Sequence, residues 1–411
     1  MSRPLFTLSI LLGLTAAMPA EAKPARNAET WRTANSEKPA VIETLRTIVS
    51  LESPTREPGD MAKLGSVLAE RLAALGAQVE KIPANTPSKG DMIVGRFKGK
   101  GTRRIMMMAH MDTVYPAGIL SRPPFRIEGN RAYGPGIADD KGGIAVILHA
   151  IALLQRQKFA DYGELIVLFN NDEESGSQAS KGQIESLAKS SDVVFSFEPT
   201  SVAKELIPLK TGGSGNTTVF VTGTAAHSGV EPERGRNALL SAADIMLRTR
   251  DLDRPEKGVR FNWTRLETGK IPNQIPESAT IQADTRHVDR SERDKVLAEL
   301  QARIQTLQIE GTSARMEYRE GRPSYVADNA SMSWIDRAIS IYGQVDGSVG
   351  TIPFTTGGTD AAYAQLAGVP VVEGLGLPGF GFHSTDEEFV DLDRIPARLY
   401  LAVEMVKAAT N

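Results

Sequence analysis

The chain has 411 residues, of which 41% are hydrophobic and 24% charged, and it contains no cysteine. These fractions are those of soluble globular protein, and the length accommodates two domains with cores of their own. A net charge of −3, from 47 basic and 50 acidic side chains, excludes a global field that would draw the chain to nucleic acid or anionic membrane. The missing thiols exclude disulfides and Cys-ligated metal.

At the N-terminus, Arg3, the apolar stretch from Leu5 to Met18, and Ala20-Glu21-Ala22 before Lys23 read as a secretory signal peptide over residues 1–22. A buried first helix is the competing reading. Against it stands the polar stretch from Lys23 to Lys38, which shows no helical periodicity. No later apolar stretch reaches membrane-spanning length, since the one after Gly143 is interrupted by His149 and ends in Gln155-Arg156-Gln157. The mature protein is therefore expected to be exported, periplasmic and soluble.

From about Ala40 to Thr211, apolar strands alternate with amphipathic helices, whose faces carry Val41, Ile42, Leu45, Ile48 and Val49, then Met61, Leu64, Val67, Leu68 and Leu72. Four apolar runs lead into metal-type ligands. The run from Ile105 to Ala109 leads into His110, that from Leu165 to Phe169 into Glu173 and Glu174, that from Val193 to Phe197 into Glu198, and that from Val369 to Val372 toward His383. Open α/β sheets bind ligands outside the carboxyl ends of their strands, so the runs read as strands delivering acids and imidazoles to one crevice. A glycine-flanked turn, Gly134 to Gly143, adds Asp139 and Asp140.

From Asn216 to about Arg322 the order changes to strand, helix, strand, strand, helix, strand, which is the β-α-β-β-α-β order of a ferredoxin-like unit. The first pattern then returns, with an amphipathic helix around Trp334 and Ile339 and a strand ending near Glu373. The expected fold class is α/β. A large domain in two parts, 23–211 and 323–411, has a mostly parallel sheet with helices on both faces, and an α+β domain over 212–322 is inserted in it.

Taken singly, the ligand candidates have plain alternatives. His110-Met111-Asp112 suggests a ligand with an orienting acid, because a metal-bound imidazole usually donates its other N–H to a carboxylate. Asp139 could be an ordinary turn aspartate, and Asp172-Glu173-Glu174 a solvated acidic loop. Adjacent carboxylates that are even half-buried are costly unless cations or protons neutralise them. Glu198, a lone acid closing an apolar strand before Pro199, makes the solvated reading harder to hold. Two divalent metals bridged by a shared carboxylate, with one glutamate left free as a base, account for all of these positions.

The motifs Ala109-His110-Met111-Asp112-Thr113-Val114, Gly134 to Gly143, Asp172-Glu173-Glu174-Ser175-Gly176-Ser177, Ser196-Phe197-Glu198-Pro199-Thr200, Ala226-His227-Ser228-Gly229, Thr356-Gly357-Gly358-Thr359-Asp360 and Gly379-Phe380-Gly381-Phe382-His383-Ser384 resemble, in this order, the M20 family of co-catalytic zinc peptidases. Within it they are most similar to the bacterial glutamate carboxypeptidases. The resemblance spans essentially the whole mature chain. It implies two Zn²⁺ per subunit: Asp139 bridging, His110 and Glu198 on one ion, and Glu174 and His383 on the other. It also implies that Glu173 is the general base, that Asp112 orients a ligand, and that the Asp139–Asp140 peptide is cis. His227 is implied as an oxyanion donor reaching the partner's site in a homodimer built by the 212–322 domain, and Asn273, Arg286, Arg322, Gly357 and Gly358 are implied on the substrate side.

An arginine can clamp a free carboxylate through two parallel hydrogen bonds, which suits removal of a C-terminal amino acid; for Arg322, an ion pair at the domain hinge is the alternative. His149, on an apolar helix, is expected to be a core histidine and His287 a surface one. The implied activity is hydrolysis of an amide that releases a C-terminal amino acid, glutamate first, from N-acyl, N-aroyl (folate-like) or peptidyl substrates. An N-acyl-amino-acid acylase or a di- or tripeptidase of broader or apolar side-chain preference is the alternative. A non-enzymic binding module is disfavoured by the completeness of the residue set. The segment from Val202 to Lys210 is expected to wall the pocket, and Leu206, Ile207 and Leu209 would make that wall apolar.

Overall fold

The computed structural model describes residues 25–410 apart from 58, 122–124 and 346, so the expected signal peptide lies outside the described residues. The first helix, Ala28–Val49, is capped by the Asn27 side chain, which accepts from the Thr30 N–H. Its N-terminal half corrects the expectation that the stretch up to Lys38 lacks helical order. Thr30, Ala34, Glu37 and Val41 recur at helical spacing and are all buried, so polar and small side chains carry the inward stripe that hydrophobicity alone does not register.

The main sheet runs, from edge to edge, through Gln78–Pro83, Asp91–Lys98, Glu164–Asn170, Arg104–His110, Val193–Ser196 and Val371–Val372. Its first two junctions are antiparallel and the following three parallel. Strand side chains alternate between faces, and both faces here are covered. Met107, Val167 and Phe195 point into a core shared with the helices Ala28–Val49, Lys141–Arg156 and Ile395–Ala408. Met106, Met108, Ile166, Leu168 and Val194 point the other way, toward Lys181–Lys189 and Ala361–Leu366. This two-sided burial is why the strands are continuous apolar runs. The runs stop where the strands leave the helical layers, at His110, Asn170 and Ser196.

The fourth apolar run forms the strand Val371–Val372 and stops just before Glu373, as expected, but it does not itself deliver His383, which arrives only after a further strand, Pro378–Phe380, in a loop that returns as Phe389–Asp391 within a second sheet.

Residues Gly213–Thr222, Val259–Thr268, Ser278–His287 and Ser313–Glu320 form a separate antiparallel sheet. Helices Ala238–Arg248 and Arg290–Arg303 cover one face of it through Ala242, Ile245, Val296 and Leu300 against Val219, Val221, Ile281 and Ala283. Strand Gly213–Thr222 lies centrally between Ser278–His287 and Ser313–Glu320, as a ferredoxin-like order requires.

Among the described residues, no helix is long and apolar enough to cross a membrane. His149 is buried, with Nδ1 2.7 Å from Glu37 Oε1 and Nε2 2.8 Å from Thr44 Oγ1, as expected of a core histidine. His287 is not a surface residue: it is 1% exposed, and burial, then Arg293, push its pKa down to about 4. Its position at a strand end suggested exposure, but the imidazole packs over Gly213, where a Cβ would come within 2.6 Å of it.

Candidate metal centre

His110 closes the Arg104–His110 strand and is almost fully buried. Its Nδ1 lies 3.0 Å from the Asp112 carbonyl oxygen and 3.4 Å from Asp112 Oδ1, which orients the ring. Its Nε2 faces Asp139 Oδ1 at 2.9 Å and Glu198 Oε1 at 3.8 Å. The other Asp139 oxygen, Oδ2, lies 3.4 Å from His383 Nε2, which is 3.4 Å from Glu174 Oε1. Two donor groups result, His110 with Asp139 and Glu198, and Asp139 with Glu174 and His383, and they share Asp139.

Asp139 sits in a turn whose shape depends on Gly136, with φ +70° and a Cβ position 2.4 Å from Thr113 Cγ2. The next residue, Asp140, caps the Lys141–Arg156 helix by accepting from the Gly143 N–H at 3.2 Å, and the Asp139–Asp140 peptide is cis.

Asp112 does more than orient His110. Its Oδ1 accepts from the Glu173 N–H and its Oδ2 from the Glu174 N–H, both at 3.0 Å, and Thr55 Oγ1 donates to it at 2.7 Å. One buried carboxylate thus fixes the backbone from which Glu173 and Glu174 diverge.

Burial pushes the carboxyls of Glu173 and Glu198 well above the usual range, partly offset by Arg322 for Glu173 and by His110 for Glu198. Burial also raises Glu174, against the His383 hydrogen bond. Asp139 goes the other way: burial would raise it, but His110 and His383 together hold it low. Asp139 and Glu174 in turn raise His383 to about 10. For His110, burial opposes the charge and Glu198, Asp112 and Asp139 overcome it. Acids this crowded and this dry share too few cations, and imidazole nitrogens facing carboxylate oxygens make a donor set that fits divalent metal, zinc among them.

The centre opens on a cavity of about 510 Å³ lined by Asp139, Glu173, Glu174, Glu198 and His383, together with Arg286, Arg322, Gly357 and Gly358. Arg322 is buried. Its Nη1 lies 2.7 Å from Glu173 Oε1 and 2.9 Å from Asp360 Oδ1, while Nη2 donates to the Glu173 carbonyl and, at 3.3 Å, to Ser177 Oγ. Arg286 is exposed, and its Nε donates to both Asp284 oxygens. His227 and Asn273 are not among the described residues lining the cavity. They are exposed and adjacent, with His227 Nε2 3.5 Å from Asn273 Nδ2, and His227 Nδ1 accepts from the Gly229 and Val230 N–H groups at 3.2 Å.

The segment from Val202 to Lys210 contributes less apolar wall than expected. Strand Leu206–Pro208 pairs with Gly350–Ile352, Ile207 and Leu209 turn into the main core, and Pro208 is the described residue of the segment that lines the cavity. Other lining residues escaped the sequence reading. Arg56 lies in a loop and has no hydrogen-bond or ion-pair partner among the described residues. Glu373 is buried, and its Oε1 has no hydrogen-bond partner among the described residues. Glu373 could have been found as an acid ending an apolar run, whereas nothing local marks Arg56.

Residues 106–408 match the family described as Peptidase family M20/M25/M40. Carboxypeptidase G2 of Pseudomonas sp. (strain RS-16) is 44% identical over 376 residues, which cover 92% of this chain and 91% of that protein. Among solved structures, aminopeptidase PepT from Bacillus cereus ATCC 10987 superposes with a TM-score of 0.74 at 20% identity, covering 91% of this chain and 99% of that one. The M20 family metallo-carboxypeptidase Sso-CP2 from Sulfolobus solfataricus gives a TM-score of 0.64 at 17% identity, with 91% and 99% coverage. At these identities the two structures speak for the fold alone. With most of its length matched to the family and a relative this similar along nearly the whole chain, the protein belongs to peptidase family M20/M25/M40 and is a metallopeptidase of it.

Proposed function

We propose that this protein is an exported di-zinc carboxypeptidase that hydrolyses the amide joining an acyl, aroyl or peptidyl group to a C-terminal amino acid, glutamate first. One observation carries the reading. Asp139 faces both imidazoles at once, beside a carboxylate, Glu173, that belongs to neither donor group and opens on the same cavity. The 44% identity to a protein named carboxypeptidase G2 supports the C-terminal specificity.

His110, Asp139 and Glu198 would hold one ion, and Asp139, Glu174 and His383 the other. When bound, the ions supply Lewis acidity, which acidifies water and polarises an amide carbonyl. The chain's own residues do the rest. The Glu173 carboxylate takes a proton from the attacking water and delivers it to the departing amine nitrogen. Arg322 Nη1 holds Glu173 Oε1, and Asp112 keeps base and ligand apart on neighbouring residues. Arg286, Gly357 and Gly358 recognise the substrate, Arg322 positions the base beside them, and Arg56 joins them as a guanidinium with no partner among the described residues.

The 212–322 domain serves as a dimerisation lid, with His227 and Asn273 completing the neighbouring subunit's site. Their exposure away from the cavity supports this, as do Val230, Leu240, Leu247 and Ile271, large apolar side chains exposed on the same unit. Residues 1–22 direct export. The test is metal content of the purified mature protein together with its rates on N-acyl amino acids of varied C-terminal residue. Two zinc ions per subunit and release of glutamate are expected. At most one divalent ion, with chelator-resistant activity, would sink the reading.

A further inference from the structure

Glu388 follows His383 in the same loop, is 2% exposed, and is not among the described residues lining the cavity, so the chemistry above makes no use of it. Its carboxylate nevertheless takes four donors. Oε1 accepts from the Ala138 N–H at 2.8 Å and the Asp139 N–H at 3.1 Å, and Oε2 from the Gly136 N–H at 2.9 Å and the Tyr115 hydroxyl at 2.5 Å. Its carbonyl accepts from the Gly134 N–H at 3.2 Å. The Tyr115 hydroxyl is also 2.9 Å from the carbonyl of Ser384, the residue after His383.

A buried carboxylate is tolerated when several donors satisfy it, and here every backbone donor comes from the turn that presents Asp139. The same side chain therefore binds that turn to the loop that presents His383. These are the two residues whose donor atoms stand 3.4 Å apart in the second donor group.

We propose that Glu388 is a positioning residue for the bridging carboxylate, setting the placement of Asp139 relative to His383. This rests on the two-metal reading. Glutamine at 388 has the same size but the wrong pattern. Its single oxygen can serve some of the N–H donors, while its NH₂ must oppose the others. Partners that orient metal ligands typically contribute ~10–100-fold to metal affinity, so Glu388→Gln should weaken zinc binding by about that factor and lower kcat more than it raises KM.

The experiment is stepwise zinc titration of the purified dimetal protein against a chromophoric chelator, alongside thermal melting and steady-state kinetics. Glu37→Gln is the control, because Glu37 is equally buried but pairs with His149 and Arg156. It should lower the melting temperature with zinc affinity unchanged. Parent-like zinc affinity in folded Glu388→Gln would overturn the proposal, as would an affinity loss that Glu37→Gln reproduces at equal destabilisation. If Glu388→Gln fails to fold, Tyr115→Phe removes one of the four donors, and unchanged zinc affinity there overturns the proposal equally. A parent protein that binds fewer than two ions would instead sink the two-metal reading.

Discussion

Arg322 Nη1 stands 2.7 Å from Glu173 Oε1, so the cation that enters the cavity from the end of the smaller sheet is already paired with the glutamate proposed as base. Both of its Nη atoms are engaged, with Asp360 and Ser177 as the further partners. A substrate carboxylate would have to compete with these bonds. Arg322→Lys, which replaces a planar fork by a point charge, should therefore lower kcat to a similar degree on N-acyl amino acids and on their C-terminal amides. Matched steady-state rates check this. A loss confined to the free acids would return Arg322 to the role of carboxylate clamp.

Glu173→Gln should retain both metals and lose most turnover, by ~10²–10⁴-fold, the usual contribution of a general base. Glu174→Gln should instead weaken metal binding, since Glu174 belongs to the donor group with Asp139 and His383. Metal analysis and kinetics on the two variants would show the reverse pattern if the assignment within the pair were wrong.

Removing the ions should make stability depend on pH with a definite sign. Without metal, Glu173 and Glu198 have folded-state pKa values raised by burial, and His383 is raised to about 10 by Asp139 and Glu174. Each raised value means the folded state binds more protons than the unfolded one. The associated stability is present below the unfolded values and lost as pH rises through the folded ones. Chelated protein should thus melt progressively lower from about pH 6.5, the ordinary histidine value, toward pH 9, and zinc should suppress the trend. Melting curves across that range, with and without chelator, are the measurement.

If His227 serves the neighbouring site, mixing inactive His227→Ala subunits with inactive Glu173→Gln subunits should restore part of the activity, because some sites then receive an intact residue from each chain. No recovery in mixed dimers, or a fully active monomer by light scattering, would contradict sharing.

Arg56 lines the cavity and has no bonding partner among the described residues, so its guanidinium is placed to meet an anionic group of the substrate. Arg56→Ala should raise KM for N-acyl-glutamate and leave N-acyl-leucine nearly unchanged; an exposed charge contact of ~0.2–1 kcal/mol corresponds to a few-fold change. Equal effects on both substrates would remove Arg56 from side-chain recognition. In the same assay, a preference for leucine above about tenfold, ~1.4 kcal/mol in transition-state binding, would overturn the glutamate assignment.

Much of this protein is written locally. The apolar runs that end at His110, near Glu173 and at Glu198 could be read as strands because two-sided burial leaves an uninterrupted hydrophobic signature, and the ligands begin where the apolar runs end, in positions that are still largely buried. The β-α-β-β-α-β order was legible from period changes along the chain, and the motif series identified the family. The inward stripe of the first helix was missed because Thr30, Ala34 and Glu37 are small or polar, although they are buried.

Only the tertiary structure decided which residues meet. Asp139 divides its two oxygens between His110 and His383, one at the end of a strand of the main sheet and the other in a loop between two strands of the second sheet. Arg322 spends its donors on Glu173 and Asp360, His287 is buried over Gly213, and Glu388 gathers the turn before Asp139. None of these follows from local propensity. Propensity and periodicity act within one turn or strand, whereas the state of a charged side chain depends on the partners and the desolvation that the folded chain supplies from far along the sequence.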